Sequence, residues 1–224
     1  MYGNEKSVGK GIRESGIARK EVFITTKVWN SDQGYDQTLK AFNRSISNLE
    51  FEFVDLNLIH WPVPRKFKAT WKALETLYRE GRPKAIGVSN FLQHQLVDLF
   101  TVCEIQPMVN QVEFHPYLIQ QSLLDFCKRH NIQYEAWSPI INGRVNNINL
   151  IKVLGKRYDK SSVQIVMRWD LQKGVITIPE SSHPDRIRSN ADIFNFELSD
   201  EDMRKIDRLD KDNRIGPDPE NISF

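Results

Sequence analysis

Short runs of apolar residues alternate along the chain with longer segments in which apolar residues recur every three or four positions. The short runs are rich in β-branched residues or interrupted by few polar ones, which is typical of buried strands. The longer segments have the spacing of amphipathic helices. The pattern predicts strands at residues 22–26, 54–59, 84–88, 108–112, 132–136 and 175–178.

Helices are predicted before, between and after these strands. The first covers residues 4–14, so the chain opens in a helix with no strand before it. Ser161 and Gln164 form a capping box ahead of a later helix, and Pro184 suits the first turn of another. Residues 213–224 are rich in Pro, Gly and Asp and are predicted to form a loop.

The regular alternation of strand and helix indicates a parallel sheet with helical crossovers. Six strands suit a doubly wound α/β sheet or most of an eight-stranded (β/α)8 TIM barrel. Because no G-x-G-x-x-G follows the first strand, the barrel is favoured. No repeat or linker divides the sequence, which predicts a single domain over residues 1–224.

The composition argues against several kinds of partner. The 224 residues include 31 basic and 29 acidic side chains, a formal net charge of +2, which gives no reason to expect nucleic acid or a membrane. The five histidines lack metal-ligand spacing, so no metal site is predicted. No segment resembles a signal peptide or a bilayer span, and Cys103 and Cys127 are predicted to be buried thiols. A cytoplasmic location is therefore expected.

Polar side chains stand where several of the predicted strands end. They are Lys27, His60, Ser89, Asn90, Gln111, Ser138, Ser181 and Ser182. Each has an ordinary structural explanation, such as a solvated charge for Lys27 or a helix cap for Ser89 and Asn90. In a barrel, however, the carboxyl ends of the strands meet at one mouth, where active sites are built. Their shared placement therefore favours a single functional site.

The helix that begins near Pro184 carries a second indication. The hydroxyls of Ser181 and Ser182 precede it, and Arg186 and Arg188 lie within it. Hydroxyls, a helix start and guanidinium groups together suit a phosphate group. An ordinary capped surface helix is the alternative.

Six segments resemble motifs of the aldo-keto reductase family, in the family's order along the chain. The short tail, with Gly216 and Pro217, resembles bacterial members. The resemblance implies a (β/α)8 barrel that reduces aldehydes or ketones to alcohols, with NADP(H) as the cofactor. The six segments are residues 2–5, 24–29, 58–62, 86–91, 110–116 and 186–190.

The resemblance also implies roles for individual residues. Tyr2 matches the general acid that protonates the carbonyl oxygen, and Lys27 matches the lysine whose positive charge makes that hydroxyl more acidic. His60 matches the histidine that orients and polarises the carbonyl. Trp29 and Trp61 match walls of the substrate pocket, which suits apolar or aromatic carbonyl compounds.

The remaining matches concern the cofactor. Glu180 stands where the family usually has a lysine that neutralises the 2′-phosphate of NADPH, so NAD(H) remains an alternative to NADP(H). The implied cofactor-binding residues run from the nicotinamide end to the adenosine phosphate end. They are Ser89, Asn90 and Gln111 at the carboxamide, Trp137 stacked on the nicotinamide ring, Ser138 at the pyrophosphate, and Ser181, Ser182, Arg186 and Asn190 at the adenosine phosphate.

The chain departs from the family pattern at its start. The family has a hairpin and two barrel strands before the tyrosine, together with a catalytic aspartate, whereas Tyr2 is the second residue here. Six of eight barrel strands are therefore expected, with impaired activity. The alternative is a catalytically poor relative that binds cofactor or a partner. Open strand edges would also favour self-association.

Overall fold

The computed structural model describes residues 3–221, which contain six β-strands and nine α-helices. Tyr2 lies outside the described residues. Strands and helices alternate as predicted. The strands are β1 Thr25–Val28, β2 Val54–Ile59, β3 Pro83–Ser89, β4 Val109–Glu113, β5 Gln133–Trp137 and β6 Ile176–Thr177.

The first helix precedes every described strand, as the sequence predicts. The helices are α1 Glu5–Glu14, α2 Tyr35–Leu49, α3 Phe67–Arg79, α4 Gln93–Phe100, α5 Gln121–Arg129, α6 Asn149–Tyr158, α7 Ser162–Gln172, α8 Pro184–Ala191 and α9 Asp200–Asp207. Within the described residues, no helix is both long enough and apolar enough to cross a membrane.

The chain divides into two compact units, one reaching Asn110 and the other beginning at Gln111. The single-domain organisation stays a prediction. Cys127, in the second unit, is buried as expected, whereas Cys103, in the first, is only partly buried.

In the first unit, β1, β2 and β3 pair in parallel. β2 lies between the other two, with Val28 level with Ile59 and Ile59 level with Val88. β2 is buried on both faces as predicted, because Leu58 and Ile59, which point to opposite faces, are both fully buried. The carboxyl ends of β1 and β2 therefore stand side by side.

The predicted first strand is wrong at its start. β1 begins at Thr25, and Phe23 is 69% exposed. The side chain of Asp55 explains the difference, since its Oδ2 accepts the Ile24 amide at 2.8 Å and pairs with Arg19 at 2.7 Å. As a result Lys27 lies within the strand, not after it.

In the second unit, β5 and β6 pair in parallel, with Ala136 level with Thr177. β6 is shorter than predicted, because the Val175 amide bonds to the Asp170 carbonyl. The predicted capping box is confirmed: Ser161 Oγ accepts the Gln164 amide at 3.2 Å at the start of α7. A 3-10 helix, Ile141–Asn147, precedes α6.

Candidate active site

Lys27 and His60 lie on the same face of the paired strands β1 and β2. Lys27 is level with Leu58, and His60 follows two residues later, so the alternation of side chains puts it on the Lys27 face. The His60 amide donates to the Val28 carbonyl at 3.2 Å, which extends the pairing to this residue. The strand register alone therefore brings these two groups together.

The imidazole of His60 is neutral at physiological pH. Burial, first, and the positive charge of Lys27, second, lower the pKa of His60 to about 3. The residue is 8% exposed. A neutral imidazole carries one N–H donor and one acceptor nitrogen. It can therefore donate a hydrogen bond to a carbonyl oxygen without acting as an acid.

Two tryptophans surround this histidine. The ring of Trp29 meets the His60 ring edge-on at 4.9 Å between centroids, and Trp61 stacks on it at 6.4 Å. Trp61 is buried, and its carbonyl accepts Gln33 Nε2 at 2.7 Å, whereas Trp29 is half-buried. Both residues border His60, as a substrate wall requires, but Trp29 offers more accessible surface.

Ser89 and Asn90 do not cap the following helix. Asn90 adopts a left-handed conformation with φ of 63°, and its Nδ2 donates to the His60 carbonyl at 3.0 Å and to Ser89 Oγ at 3.1 Å. The N-terminus of α4 instead uses Leu92, whose amide donates to Gln95 Oε1. Asn90 thus ties the end of β3 to the backbone of His60.

The first turn of α1 is attached near Lys27. Glu5 accepts hydrogen bonds from Thr26 at 3.3 Å and from Asn48 at 2.9 Å. Gly9 lets α1 approach α2 closely, because a Cβ there would lie 2.2 Å from the Leu49 carbonyl oxygen. The predicted general acid, Tyr2, is not described, but the helix that follows it is anchored beside β1.

In the second unit, the amide of Gln111 donates to Glu135, and both side chains are buried. Trp137 is the last residue of β5, is half-buried, and packs against Gly216. Ser138 follows in a left-handed conformation with φ of 53°, and its carbonyl accepts the Ile141 amide. This turn begins the 3-10 helix after β5.

A groove of about 710 Å³ lies between α7, β6 and α8. Ser181 and Asn190 line it together with Glu180, which is exposed. Ser182 and Arg186 are exposed and do not line it. Apolar side chains form the rest of the wall, namely Met167, Leu171, Ile176, Ile187, Ile193 and Phe194.

The two arginines of α8, Arg186 and Arg188, differ in their ion pairing. Arg188 is paired with Asp185 at 3.1 Å, whereas the Arg186 guanidinium forms no ion pair within residues 3–221. Arg186 and Asn190 lie four residues apart on α8, and a guanidinium with an amide is a donor set that suits a phosphate. Among the residues that line the groove, Glu180 carries the one carboxylate. Its negative charge would repel a phosphate group placed there.

Sequence reasoning missed Glu113 and Asn110. Glu113 is a carboxylate at the end of β4, 1% exposed, and Asn110 Nδ2 donates to the Phe91 carbonyl at 2.9 Å. Both residues lie in an apolar run that predicts only a strand. A charged or amide side chain inside such a run was the available signal, because buried polar groups require partners.

Comparison with known proteins is consistent across sequence and structure. The model of the Aldo/keto reductase family matches residues 1–211. A glyoxal reductase of Bacillus subtilis strain 168 is 54% identical over 100% of this chain and 81% of its own length. An aldo-keto reductase from a Medee basin deep-sea metagenome superposes with a TM-score of 0.96 at 43% identity, covering 100% of this chain and 84% of the other.

A mutant of Gox0644 in complex with NADPH has a TM-score of 0.94 at 42% identity, over 100% of this chain and 82% of the other. These likenesses confirm the predicted α/β barrel fold of the aldo-keto reductase type, with six strands in this chain. The chain spans about four fifths of the relatives that it matches.

Proposed function

The chain belongs to the aldo/keto reductase family, and on that premise we propose that it reduces aldehydes or ketones to alcohols with NADPH. The observation that carries the proposal is the neutral, buried His60 beside Lys27 at the ends of two paired strands, with Trp29 against its ring. This arrangement can hold a carbonyl oxygen next to a positive charge in an apolar wall.

When bound, NADPH supplies the hydride that reduces the carbonyl carbon. The chain's own residues handle the oxygen. In the proposal, His60 donates its N–H to the carbonyl oxygen and polarises it, and Tyr2 delivers the proton. Lys27 stabilises the tyrosinate that remains. Because His60 is already neutral, it acts as a hydrogen-bond donor and not as the acid.

In the first unit, Ser89 and Asn90 present a hydroxyl and an amide that suit the carboxamide of nicotinamide. In the second, Gln111 contributes an amide, Trp137 a stacking ring and Ser138 a pyrophosphate contact. The adenosine phosphate end is assigned to Ser181, Ser182, Arg186 and Asn190, of which Ser181 and Asn190 line the groove.

NADPH is the proposed cofactor, and NADH is the alternative. The NADPH complex of a relative supports the first. Glu180 weakens the preference, because a carboxylate repels a 2′-phosphate and accepts a hydrogen bond from a ribose hydroxyl. Small reactive aldehydes of the glyoxal class are the proposed substrates, since a 54% identical relative is a glyoxal reductase and Trp29 and Trp61 leave an aromatic wall.

We also propose that the chain self-associates through β1. This strand stands first in the strand order, and within residues 3–221 it pairs only with β2. Unpaired strand edges favour pairing with another chain, and the exposed ring of Phe23 adjoins this edge. Analytical ultracentrifugation that finds a monomer over a wide concentration range would refute this point.

The test of activity is NADPH oxidation with glyoxal, followed by absorbance and confirmed by analysis of the alcohol product. Turnover above background is expected, and His60→Gln is expected to reduce kcat/KM by about a hundredfold. His94→Gln, on the exposed face of α4, is the matched control and should retain wild-type activity. A folded protein that binds NADPH but shows no turnover would support a cofactor-binding role without catalysis.

A further inference from the structure

The carboxylate of Glu113 is held by groups from two distant parts of the second unit. Oε1 accepts His115 Nε2 at 3.0 Å and the Ile215 amide at 2.6 Å, and Oε2 accepts the Gly216 amide at 3.2 Å. Ile215 lies 102 residues further along the chain. Burial raises the pKa of Glu113, but the hydrogen bonds from His115 and Ile215 outweigh it, so the pKa lies below its usual value.

His115 has a defined tautomer in this arrangement. Its Nδ1 accepts the Tyr117 amide at 3.3 Å, so the proton of the neutral ring is on Nε2, which faces Glu113. The histidine therefore donates to the same carboxylate oxygen as the Ile215 amide. A buried carboxylate needs this number of donors to remain ionised.

Further contacts hold the segment that leads to Gly216. The amides of Lys211 and Asn213 both donate to the Tyr117 carbonyl, at 3.2 and 3.0 Å. Arg214 donates to Gln120 Oε1 at 2.8 Å, and Gln120 Nε2 in turn donates to the Glu113 carbonyl. The predicted loop begins within this segment, at residue 213. These hydrogen bonds attach residues 211–216 to residues 113–120, at and after the end of β4.

Gly216 lies where this segment meets Trp137. A Cβ on Gly216 would lie 2.3 Å from Cη2 of Trp137 and 3.2 Å from Glu113 Oε2. The backbone of Gly216 is not in the left-handed region, so the glycine is required for space and not for conformation. Its amide reaches the carboxylate only because no side chain separates the backbone from the indole ring.

We propose that Glu113 is a positioning residue for Trp137. We name the group formed by Glu113, His115, Ile215 and Gly216 the Glu113 clamp. The clamp presses Gly216 against the edge of the indole and keeps the ring in the orientation in which it stacks on the nicotinamide. This inference rests on the proposed function, in which Trp137 is the stacking residue.

Glu113→Gln and Gly216→Ala test the clamp in two independent ways. The first replaces a carboxylate oxygen with an N–H that faces a backbone donor, and the second pushes the ring away without changing a charge. Each is expected to weaken NADPH binding on the order of tenfold and to raise the KM for NADPH more than it lowers kcat. The indole band in the near-ultraviolet circular dichroism should change in both variants.

Two comparisons make the outcomes distinct. Gly11→Ala, in α1, is the matched control, because a Cβ there meets nothing within 4 Å. Trp137→Leu measures stacking itself: unchanged NADPH affinity in that variant would refute the stacking in the proposed function. If Trp137→Leu weakens binding while Gly216→Ala and Glu113→Gln bind NADPH as the wild type does, the clamp inference alone is refuted.

Thermal unfolding separates positioning from stability. Lower stability in either clamp variant with an unchanged KM for NADPH and an unchanged indole band would show a structural role only and overturn the proposal. If Glu113→Gln does not fold, Gly216→Ala remains decisive, because it leaves the Glu113 carboxylate and the His115 side chain unchanged.

Discussion

The Lys27–His60 pair and the Glu113 clamp are both built at strand ends, but their assembly differs. The Lys27–His60 pair is set by the register of two neighbouring parallel strands, which requires only backbone pairing. The Glu113 clamp joins the end of β4 to residues 102 positions later through side-chain acceptors. Because the first group lies on two consecutive, paired strands, its motifs are enough to predict it. The second group depends on the position of a segment that is distant in sequence.

The electrostatics of the two groups differ in the same way. Burial and the positive charge of Lys27 both lower the pKa of His60, so the imidazole is neutral. Glu113 is buried beside several donors and is held ionised. Burial disfavours the charged form in both cases. Hydrogen-bond donors offset it at the Glu113 carboxylate, whereas the positive charge of Lys27 adds to it at His60.

The largest expected effect tests the first group. Lys27→Met removes the positive charge next to His60 and should lower kcat for glyoxal reduction by roughly a hundredfold or more, with little change in the NADPH dissociation constant. Steady-state kinetics and fluorescence titration measure the two quantities. Lys10→Met, whose ammonium is exposed on α1, is the control and should leave both unchanged. Equal losses in both variants would show that Lys27 does not have the proposed role.

A smaller effect is expected in the second unit. Glu180→Lys replaces the carboxylate in the groove lining with a positive charge and should raise the ratio of NADPH to NADH affinity by about tenfold. The effect should diminish at high salt, because Glu180 is exposed. Glu220→Lys makes the same charge change outside the groove lining and is the control. An unchanged ratio would remove Glu180 from the cofactor site.

The smallest expected effect concerns the pH dependence of stability. The pKa of His60 is about 3 in the folded chain, below its ordinary value of 6.5, so the unfolded chain binds more protons between these values. Stability from this group is therefore present above pH 6.5 and is lost as the pH falls towards 3. Urea denaturation of the wild type and His60→Gln at several pH values measures it. The wild type should lose more stability than the variant, and parallel curves would contradict the burial of a neutral imidazole.

Much of the fold follows from local pattern. β2 has the predicted bounds, with His60, Trp61 and Pro62 directly after its apolar run, and α7 begins at a capping box that is complete within four residues. β1 is misplaced in the prediction because Asp55, about thirty residues away, takes the Ile24 amide that a longer strand would use. A local window cannot contain that competitor.

The sequence by itself determined the order of strands and helices, the family, and the pairing of Lys27 with His60, because periodicity and short motifs act through neighbouring residues. The tertiary structure decided which hydrogen bonds the buried polar residues form. Asn90 turns back to the His60 carbonyl, and Glu113 captures the amides of Ile215 and Gly216. A buried acceptor takes whichever donors the fold delivers to it, and those donors are specified by packing across the unit and not by adjacent residues.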